Sequence, residues 1–373
     1  MSKTILIIGG YGNTGKLVAE LLLQHVPDVR VIISGRNEEK ARGAAEQLNR
    51  DYTGNRADHI VADASDKASL VTAFHTADMV VMASGTMQYV SNVAHAAIET
   101  GTDYMDTQLS NPEKLNTLKE IKEITAHKRI FITDAGFHPG VPAALVRLAA
   151  NKMDTLQSGI IYSALRIDWK QYEFSQSTVL EMMDEFRDFK PMVLIDGQWT
   201  KIKWKDMPKY DFGGDIGVEY CVPMIMNEFE KLPEMVPGLH ETGFYVTGFN
   251  PVVDYIITPV VIAGLKLFPK SAVTLGKLFV WGLHNFSKPP YRTCLVLEAK
   301  GTRDGKPAAM QMRLSHSDPY FMTAAPIVAC LKQYCSGQIN TPGLWYQANI
   351  VEPESFFRDM ESMGIQIVKQ INS

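Results

Sequence analysis

The sequence predicts an α/β protein with a doubly wound parallel sheet, an inserted α+β domain and a C-terminal tail that returns to the first domain. Over residues 5–133, short apolar strands alternate with amphipathic helices, which is typical of a parallel sheet covered on both faces. After Asp134 the rhythm changes, and the hairpin signals Asp196-Gly197 and Asp304-Gly305 indicate antiparallel strands. With 373 residues, the chain is also too long for one typical core.

A glycine-rich turn follows the first predicted strand. Four apolar residues, 5–8, precede Gly10, Gly12 and Gly15, which have the G-x-G-x-x-G spacing, and a helix with an apolar face follows. In that motif the first glycine makes a tight turn, the second lets a pyrophosphate approach, and the third lets helix and strand pack closely. Bare N–H groups at the helix start hold the phosphates. The pattern predicts a dinucleotide site; the alternative is a glycine-rich turn without a ligand.

The predicted cofactor-binding residues come from the ends of four strands. They are Gly10, Tyr11, Gly12, Asn13, Thr14, Gly15, Ser34, Arg36, Asp63, Ala83, Ser84 and Gly85. The last three form a small-residue turn at the carboxyl edge of the sheet, where ligands bind in open α/β sheets. Asp63 follows the third strand, where it could accept from the adenine amine or instead cap the helix that begins near Lys67.

The end of the second predicted strand distinguishes NADP from NAD. An NAD-selective site places an acidic residue about here, on the ribose hydroxyls, whereas this chain has Ser34-Gly35-Arg36. A carboxylate would repel a 2′-phosphate, and a guanidinium pairs with it bidentately. The sequence therefore favours NADP over NAD, with Arg36 and also Lys40 on the phosphate. The alternative is that Arg36 is a solvated residue at the start of the next helix.

Candidate catalytic residues lie where the predicted sheet edge would meet a nicotinamide. Hydride transfer needs alignment, exclusion of water and a proton donor. His138, in a Pro-Gly loop, is the preferred general acid/base because an unperturbed imidazole titrates near neutrality; alternatively, it only bonds a backbone carbonyl. Tyr89 and Asp134 are further catalytic candidates, with half-buried packing as the alternative for Tyr89. Tyr162 and Arg166 are candidates for substrate binding, although a packing tyrosine and a surface charge are the alternatives.

Composition and missing motifs exclude several classes of protein. The chain is 46% hydrophobic and 21% charged, as in ordinary globular proteins, and its net charge of −4 gives no reason to expect nucleic acid as a partner. The four cysteines show no C-x-x-C pair or zinc-like spacing, so we expect no metal and the reduced thiols of a cytoplasmic protein. The first strand begins so early that no signal peptide is predicted. Short-chain dehydrogenases use a tyrosine with a lysine four residues later, and no tyrosine of this chain has that lysine. The G-x-S-x-G elbow of hydrolases is also missing from the sequence.

Residues 252–283 are unusually apolar. The longest run without a charge, Tyr255–Leu265, is shorter than the roughly 20 apolar residues that a membrane span needs. A buried helix pair, a homodimer surface and a lipid-facing surface flanked by lysines remain as alternatives. We expect a homodimer, a small-molecule substrate and, as a further alternative, peripheral membrane or lipid contact through 252–283.

Several of these stretches resemble the saccharopine dehydrogenase-like family of NADP-binding oxidoreductases. They are Ile7–Gly15, Ser34–Arg36, Gly101–Asp106, Ala135–Gly140 and Asp318–Ala324. The resemblance implies a Rossmann domain, an inserted α+β domain and a tail that rejoins the first domain. It also implies reversible reduction of an imine, or of a carbon–carbon or carbon–oxygen double bond. Family members that act on amino acids often carry an acid where this chain has His138, which points away from saccharopine itself.

We therefore expect a Rossmann dinucleotide-binding domain at 1–136, an α+β substrate and dimerisation domain at 137–321, and a C-terminal segment, 322–373, packing back on the Rossmann domain. The expected function is NADP-dependent hydride transfer to or from an imine or carbonyl of a small amino-acid-derived substrate. The alternatives are a reductase of a hydrophobic, lipid-like substrate and a non-catalytic NADP-binding sensor or interaction protein.

Overall fold

The computed structural model describes residues 2–85, 87–108, 111–174 and 176–372, apart from the side chains of Ser177 and Asp188. The chain divides into two compact units. Unit 1 comprises Met1–Ala144 and Tyr320–Gly364, and unit 2 comprises Leu145–Pro319 and Ile365–Ser373. The strands are β1 (Thr4–Ile8), β2 (Arg30–Gly35), β3 (Ala57–Val61), β4 (Met79–Met82), β5 (Asp103–Asp106), β6 (Ile130–Thr133), β7 (Thr155–Arg166), β8 (Met192–Ile195), β9 (Gln198–Lys201), β10 (Lys209–Asp211), β11 (Val218–Pro223), β12 (Glu241–Thr247), β13 (Arg292–Arg303), β14 (Lys306–His316), β15 (Gly343–Tyr346) and β16 (Gln366–Asn372). The helices are α1 (Asn13–His25), α2 (Glu38–Asp51), α3 (Lys67–Phe74), α4 (Val90–Thr100), α5 (Pro112–Glu120), α6 (Glu123–Ala126), α7 (Pro142–Ala150), α8 (Gln176–Asp188), α9 (Leu232–Met235), α10 (Thr258–Leu267), α11 (Ala272–Phe286), α12 (Pro319–Cys335), α13 (Gln347–Ile350) and α14 (Pro353–Met363).

Unit 1 is built on a parallel sheet. Its strand order is β15-β6-β5-β4-β1-β2-β3, and every pairing in it is parallel. The fully buried strand β4 is apolar throughout, as expected for a central strand covered by helices on both faces. The chain runs outward from β1 to β3 and then crosses back to β4, so the order reverses between β1 and β4. Ligands of such sheets bind in the crevice at this reversal, outside the carboxyl ends of the strands.

Unit 2 contains a second, mixed sheet of order β10-β11-β12-β7-β13-β14-β16, with β8 and β9 off this path. Strands β7 and β12 are parallel, and the β13–β14 hairpin is antiparallel. Both predicted hairpin turns are confirmed. Asp196 and Gly197 have φ of 50° and 75°, and Asp304 and Gly305 have φ of 52° and 71°. Two successive positive φ angles match the right-handed twist of the flanking strands.

The C-terminal tail contributes to both sheets. Strand β15 pairs in parallel with β6, from Gly343 opposite Ile130 to Tyr346 opposite Thr133, and so extends the sheet of unit 1. This confirms the predicted fold class, including the return of the tail. The last strand, β16, differs from the expected single segment 322–373, because it pairs with β14 in unit 2. There it satisfies backbone N–H and C=O groups along the edge of a long hairpin strand.

The apolar stretch of unit 2 is helical. A π-helical turn, Val253–Ile257, leads into α10, and α11 follows. Side chains at every fourth position of the π-helical turn and α10 are buried in one apolar cluster with α11. Among the described residues, no helix is both long enough and apolar enough to cross a bilayer.

Candidate functional site

The glycine turn of unit 1 is held by the backbone of β2. The N–H groups of Gly9 and Gly10 donate to the carbonyl of Ser34 at 2.8 and 3.2 Å, and Gly9 has a φ of 83°. A Cβ atom on Gly15 would collide with the carbonyl oxygen of Gly9. Helix α1 can therefore begin this close to β1 only with glycine at position 15, which is the role that the motif assigns to its third glycine.

The ligand side of the turn is open. Gly12 and Asn13 are exposed, and an added Cβ on Gly12 would approach only the carbonyl oxygen of Gly9, at 3.2 Å. Within the described chain, no side chain caps α1. The first N–H groups of this helix are thus available, with the positive end of its dipole, to an anion. Gly10, Tyr11, Thr14 and Gly15 complete this turn, and its shape fits a pyrophosphate.

Ser34 lies behind the turn. Its side chain is fully buried and, among the described residues, its Oγ atom has no hydrogen-bond partner, so the residue serves the site through its carbonyl. A direct contact of Ser34 with the cofactor stays a prediction. Tyr11 instead reaches the end of β2. A Cβ on Gly35 would lie 2.5 Å from the Tyr11 hydroxyl, which accepts a hydrogen bond from the N–H of Asn37 at 3.3 Å.

Arg36 is exposed at the carboxyl end of β2, beside the loop of Asp63. Hydrogen bonds from the backbone and side chain of Ser65 lower the pKa of Asp63, and the nearby charge of Arg36 lowers it further. The cap of α3 is Asp66, whose carboxylate accepts from the N–H of Ala68 at 2.9 Å. The capping alternative for Asp63 is therefore wrong, and its carboxylate remains at the edge of the sheet.

The loop after β4 packs directly on the glycine turn. A Cβ on Gly9 would lie 2.7 Å from the carbonyl oxygen of Ala83 and 3.0 Å from the Cβ of Ser84, and Gly85 follows. Gln108, which the sequence did not suggest, fixes this loop by donating from Nε2 to the carbonyl of Ser84 at 3.0 Å. The predicted residues of this loop therefore lie beside the proposed pyrophosphate position.

A second glutamine holds the loop that carries His138. Gln347, fully buried at the start of α13, donates from Nε2 to the carbonyl of Gly136 at 3.1 Å. A Cβ on Gly140 would lie 2.6 Å from the same Nε2 atom. Since β15 pairs with β6, Gln347 reaches this loop from the neighbouring strand end. No local sequence signal could identify it, because its place depends on a strand pairing more than 200 residues apart in the chain.

His138 is a half-buried residue, and its ring centroid lies 4.1 Å from that of Phe137. Its surroundings disfavour the imidazolium form, and this desolvation lowers the pKa of His138 to about 3. His138 was predicted to be the general acid/base because an unperturbed imidazole has a near-neutral pKa, and that reason does not apply at this position. At neutral pH His138 is an uncharged group with one donor and one acceptor nitrogen.

Asp134 belongs to a buried ion cluster with Lys114 and Asp106, all three fully buried. The Lys114 ammonium donates to Asp134 at 2.8 Å and to Asp106 at 2.9 Å. Asp106 also accepts from the hydroxyls of Thr133 at 2.7 Å and Tyr104 at 3.0 Å. Burial alone lowers the pKa of Lys114, but the two carboxylates more than offset this and raise it overall. Burial and the charge of Asp106 raise the pKa of Tyr104 well above its usual value.

This cluster indicates that Asp134 fixes the edge of the sheet. Its carboxylate is engaged by Lys114 and by the hydroxyl of Thr133, so its predicted catalytic role stays a prediction. Lys114 was missed because it looks like a solvated residue in a polar helix. Its spacing of four from buried Leu118 was the available signal, since residues four apart share one helix face. Tyr89 is half-buried against the apolar core of unit 1, which favours the packing alternative over a proton donor.

The two substrate candidates lie in unit 2, on β7, and both are engaged there. Tyr162 stacks on Tyr210 and Tyr245, with ring centroids 4.0 and 5.4 Å apart, and burial raises the pKa of Tyr162 far above its usual value. Arg166 forms an ion pair with Glu219. A role of either residue in substrate binding stays a prediction.

Comparison with known families agrees with this geometry. Residues 5–131 match the family described as saccharopine dehydrogenase NADP binding domain. The matched segment covers about a third of the chain, and the match supports an NAD(P)-dependent oxidoreductase with a nicotinamide cofactor.

One solved structure shows a similar fold over the whole chain. Saccharopine dehydrogenase (L-Glu forming) from Saccharomyces cerevisiae, in its apo form, superposes with a TM-score of 0.68 at 17% identity, covering 100% of both chains. A myo-inositol dehydrogenase from Corynebacterium glutamicum has a TM-score of 0.47 at 13% identity, covering 97% of this chain and 95% of its own. A comparison with curated proteins finds no match to this sequence.

Proposed function

We propose that this saccharopine dehydrogenase-like chain is an NADP-dependent oxidoreductase acting on the imine or carbonyl of a small amino-acid-derived substrate. One observation carries the proposal: an open glycine turn, with uncapped helix N–H groups, lies at the reversal of strand order in unit 1. The family of residues 5–131 supports NADP over NAD. The relative from S. cerevisiae is a saccharopine dehydrogenase, so chemistry on an amino-acid-derived substrate is the first choice.

Each group at the edge of unit 1 has a defined part in this function. The N–H groups from Asn13 to Gly15 hold the pyrophosphate, and exposed Arg36 and Lys40 bind the 2′-phosphate. Asp63 accepts from the adenine amine. When bound, the cofactor supplies or receives a hydride. The loops at Ser84 and His138 border the reacting end, because both follow central strands at their carboxyl ends.

His138 acts here as a neutral hydrogen-bond donor. With its pKa lowered to about 3 by burial, the imidazole keeps an N–H group throughout the neutral range. Such a group polarises a carbonyl, on whose oxygen negative charge grows as a hydride arrives. Tyr89, Asp134, Tyr162 and Arg166 remain candidates of lower rank, because their side chains already pack or bond within their own units.

The NADP selectivity can be tested with two arginine variants. Arg36→Ala removes a charge-assisted contact and should weaken NADPH binding by about tenfold to a hundredfold, equivalent to about 1.5–3 kcal/mol, with little effect on NADH. Arg42→Ala is the matched control, because Arg42 is also exposed and lies in α2, the helix that follows Arg36. Fluorescence titration of wild type and variants with both nucleotides gives the answer. Equal losses for NADPH and NADH in Arg36→Ala would remove the argument for NADP.

Two alternatives and two general properties complete the proposal. Exposed apolar side chains at 255–268 favour, as second candidate, a reductase of a hydrophobic, lipid-like substrate; this predicts turnover only with long-chain carbonyl compounds. Tight NADPH binding without turnover of any carbonyl or imine would instead indicate a sensor.

Cytoplasmic location is supported by the four free cysteines, since reducing compartments keep thiols unpaired. The expected homodimer is tested by sedimentation velocity.

A further inference from the structure

Helix α10 and the segments around it are apolar on two opposite faces. The inner face is buried in the core of unit 2, at Val253, Ile257, Val261 and Leu265. The outer face is exposed. It consists of Tyr255, Ile256, Val260, Leu267 and Phe268, which are 64%, 62%, 51%, 72% and 67% exposed. A helix that is apolar all round is normally surrounded by protein or lipid, so the exposed face indicates a missing contact.

The exposed face of α11, the helix that packs beside α10, differs from the outer face of α10. Along α11 the exposed positions are Thr274, Lys277, Trp281 and Asn285, of which one is a large apolar residue. This is the polar pattern of an ordinary solvated helix. The apolar exposure is therefore concentrated on α10 and on the turn after it, where Leu267 and Phe268 stand at the tip of the helical hairpin.

The charges on α10, on the tip after it and on α11 all have one sign. Lys266 and Lys270 flank the tip and are exposed, and Lys277 lies one to two turns further along. From Tyr255 to Leu297 the sequence contains no aspartate or glutamate, although the whole chain has a net charge of −4. The partner that covers this face must therefore accept apolar side chains and carry negative charge close beside them.

We propose that the outer face of α10 and its tip dock on an anionic lipid surface. Apolar side chains enter the boundary of headgroups and acyl chains, while each nearby lysine adds about 1 kcal/mol of attraction to anionic lipid, or about fivefold in affinity. With 10 residues, α10 is about 15 Å long, half of a hydrocarbon core, so it lies along the surface and does not span the bilayer.

A second copy of the chain fits this face less well. A twofold dimer presents the same patch from both subunits, so the lysines of one copy would approach those of the other with no acid in the stretch to pair with them. An anionic membrane supplies the missing countercharge. The proposal is independent of the cofactor site, which lies in unit 1.

Vesicle co-sedimentation tests the proposal with the full chain. Wild type should bind vesicles of phosphatidylcholine mixed with phosphatidylglycerol, bind pure phosphatidylcholine at least tenfold more weakly, and lose binding as salt is added. Leu267→Ser/Phe268→Ser should weaken binding to the anionic vesicles by at least tenfold. Lys266→Glu/Lys270→Glu should remove the preference for anionic lipid. The matched control is Trp204→Ser, since Trp204 is 71% exposed elsewhere in unit 2 and its loss should change nothing.

Three results would overturn the proposal. They are an equal or negligible affinity of wild type for both vesicles, an equal loss in Trp204→Ser, and conversion of a dimer into a monomer by Leu267→Ser/Phe268→Ser. The last would make this face a protein interface. Circular dichroism and NADPH titration show that each variant is folded. A wild type that binds anionic vesicles but no NADPH would refute the proposed function and leave this inference standing.

Discussion

The substitution Lys114→Met tests the buried ion cluster most directly. Lys114 is fully buried, and its ammonium bonds Asp106, Asp134 and, at 3.2 Å, the carbonyl of Gln108. Methionine fills nearly the same volume without charge. It leaves two carboxylates buried side by side, which is the costly way to break a buried ion pair.

The expected loss in free energy of unfolding is about 3–5 kcal/mol at neutral pH. With a urea dependence of about 3 kcal/mol per molar, the unfolding midpoint of the transition that involves unit 1 should fall by about 1–1.7 M. Urea titration followed by circular dichroism measures this. Lys119→Met is the control, because Lys119 is an exposed lysine in the same helix and should change the midpoint by a small fraction of that amount.

The pH dependence of the loss identifies its cause. Without the cation, each carboxylate raises the pKa of the other in the folded state, so the folded variant takes up a proton more readily than the unfolded chain. The stability of Lys114→Met should therefore rise as the pH falls from 8 to 5, relative to wild type. The raised pKa of Lys114 in wild type means that its own contribution is lost only in alkaline solution, above about pH 10.4. A loss no larger than that of Lys119→Met, or one that is constant between pH 5 and 8, would refute the ion-cluster argument.

The remaining predictions concern His138 and Gln347. His138→Ala should reduce turnover without weakening NADPH binding, as measured by steady-state kinetics and titration; unchanged turnover would make it a loop residue. Because the folded-state pKa of His138 is lowered to about 3, wild type should lose stability as the pH falls from about 6.5 towards 3, when only the unfolded chain takes up this proton. His138→Ala should lose less over that window in acid titrations, whereas exposed His127→Ala should follow wild type. Gln347→Leu removes the donor to the carbonyl of Gly136. It should lower the free energy of unfolding by about 1–3 kcal/mol and reduce turnover more than NADPH affinity. The control Gln338→Leu, at an exposed position, should change neither stability nor turnover.

Local chemistry explains which parts of the fold and site could be predicted. The glycine turn has a function that depends on spacing within a few residues, so Gly12 and Gly15 could be assigned before any contact was known. The hairpin turn at Asp304-Gly305 is equally local, because two positive φ angles demand such residues. Arg36 could be placed at the end of β2 for the same reason, since its role depends on one β-α-β unit.

The residues that were missed depend on packing between distant segments. Lys114 reads as a solvated lysine until β5 and β6 bring Asp106 and Asp134 to the same point under α5. Gln347 acquires a role only when β15 joins the sheet beside β6. The lowered pKa of His138 follows from desolvation, which no pattern of neighbours in the sequence reveals. For all three residues, the role or the pKa depends on burial in the folded chain, which no sequence motif shows.

The two glutamines of unit 1 suggest how its loops are kept in place. Gln108 follows β5 and donates to the loop after β4, and Gln347 follows β15 and donates to the loop after β6. A backbone carbonyl can only accept, so Nε2 must make each bond, which leaves both Oε1 atoms buried without a partner among the described residues. Each glutamine therefore holds its loop through Nε2 alone, and the two bonds together fix the loops that carry Ser84 and His138.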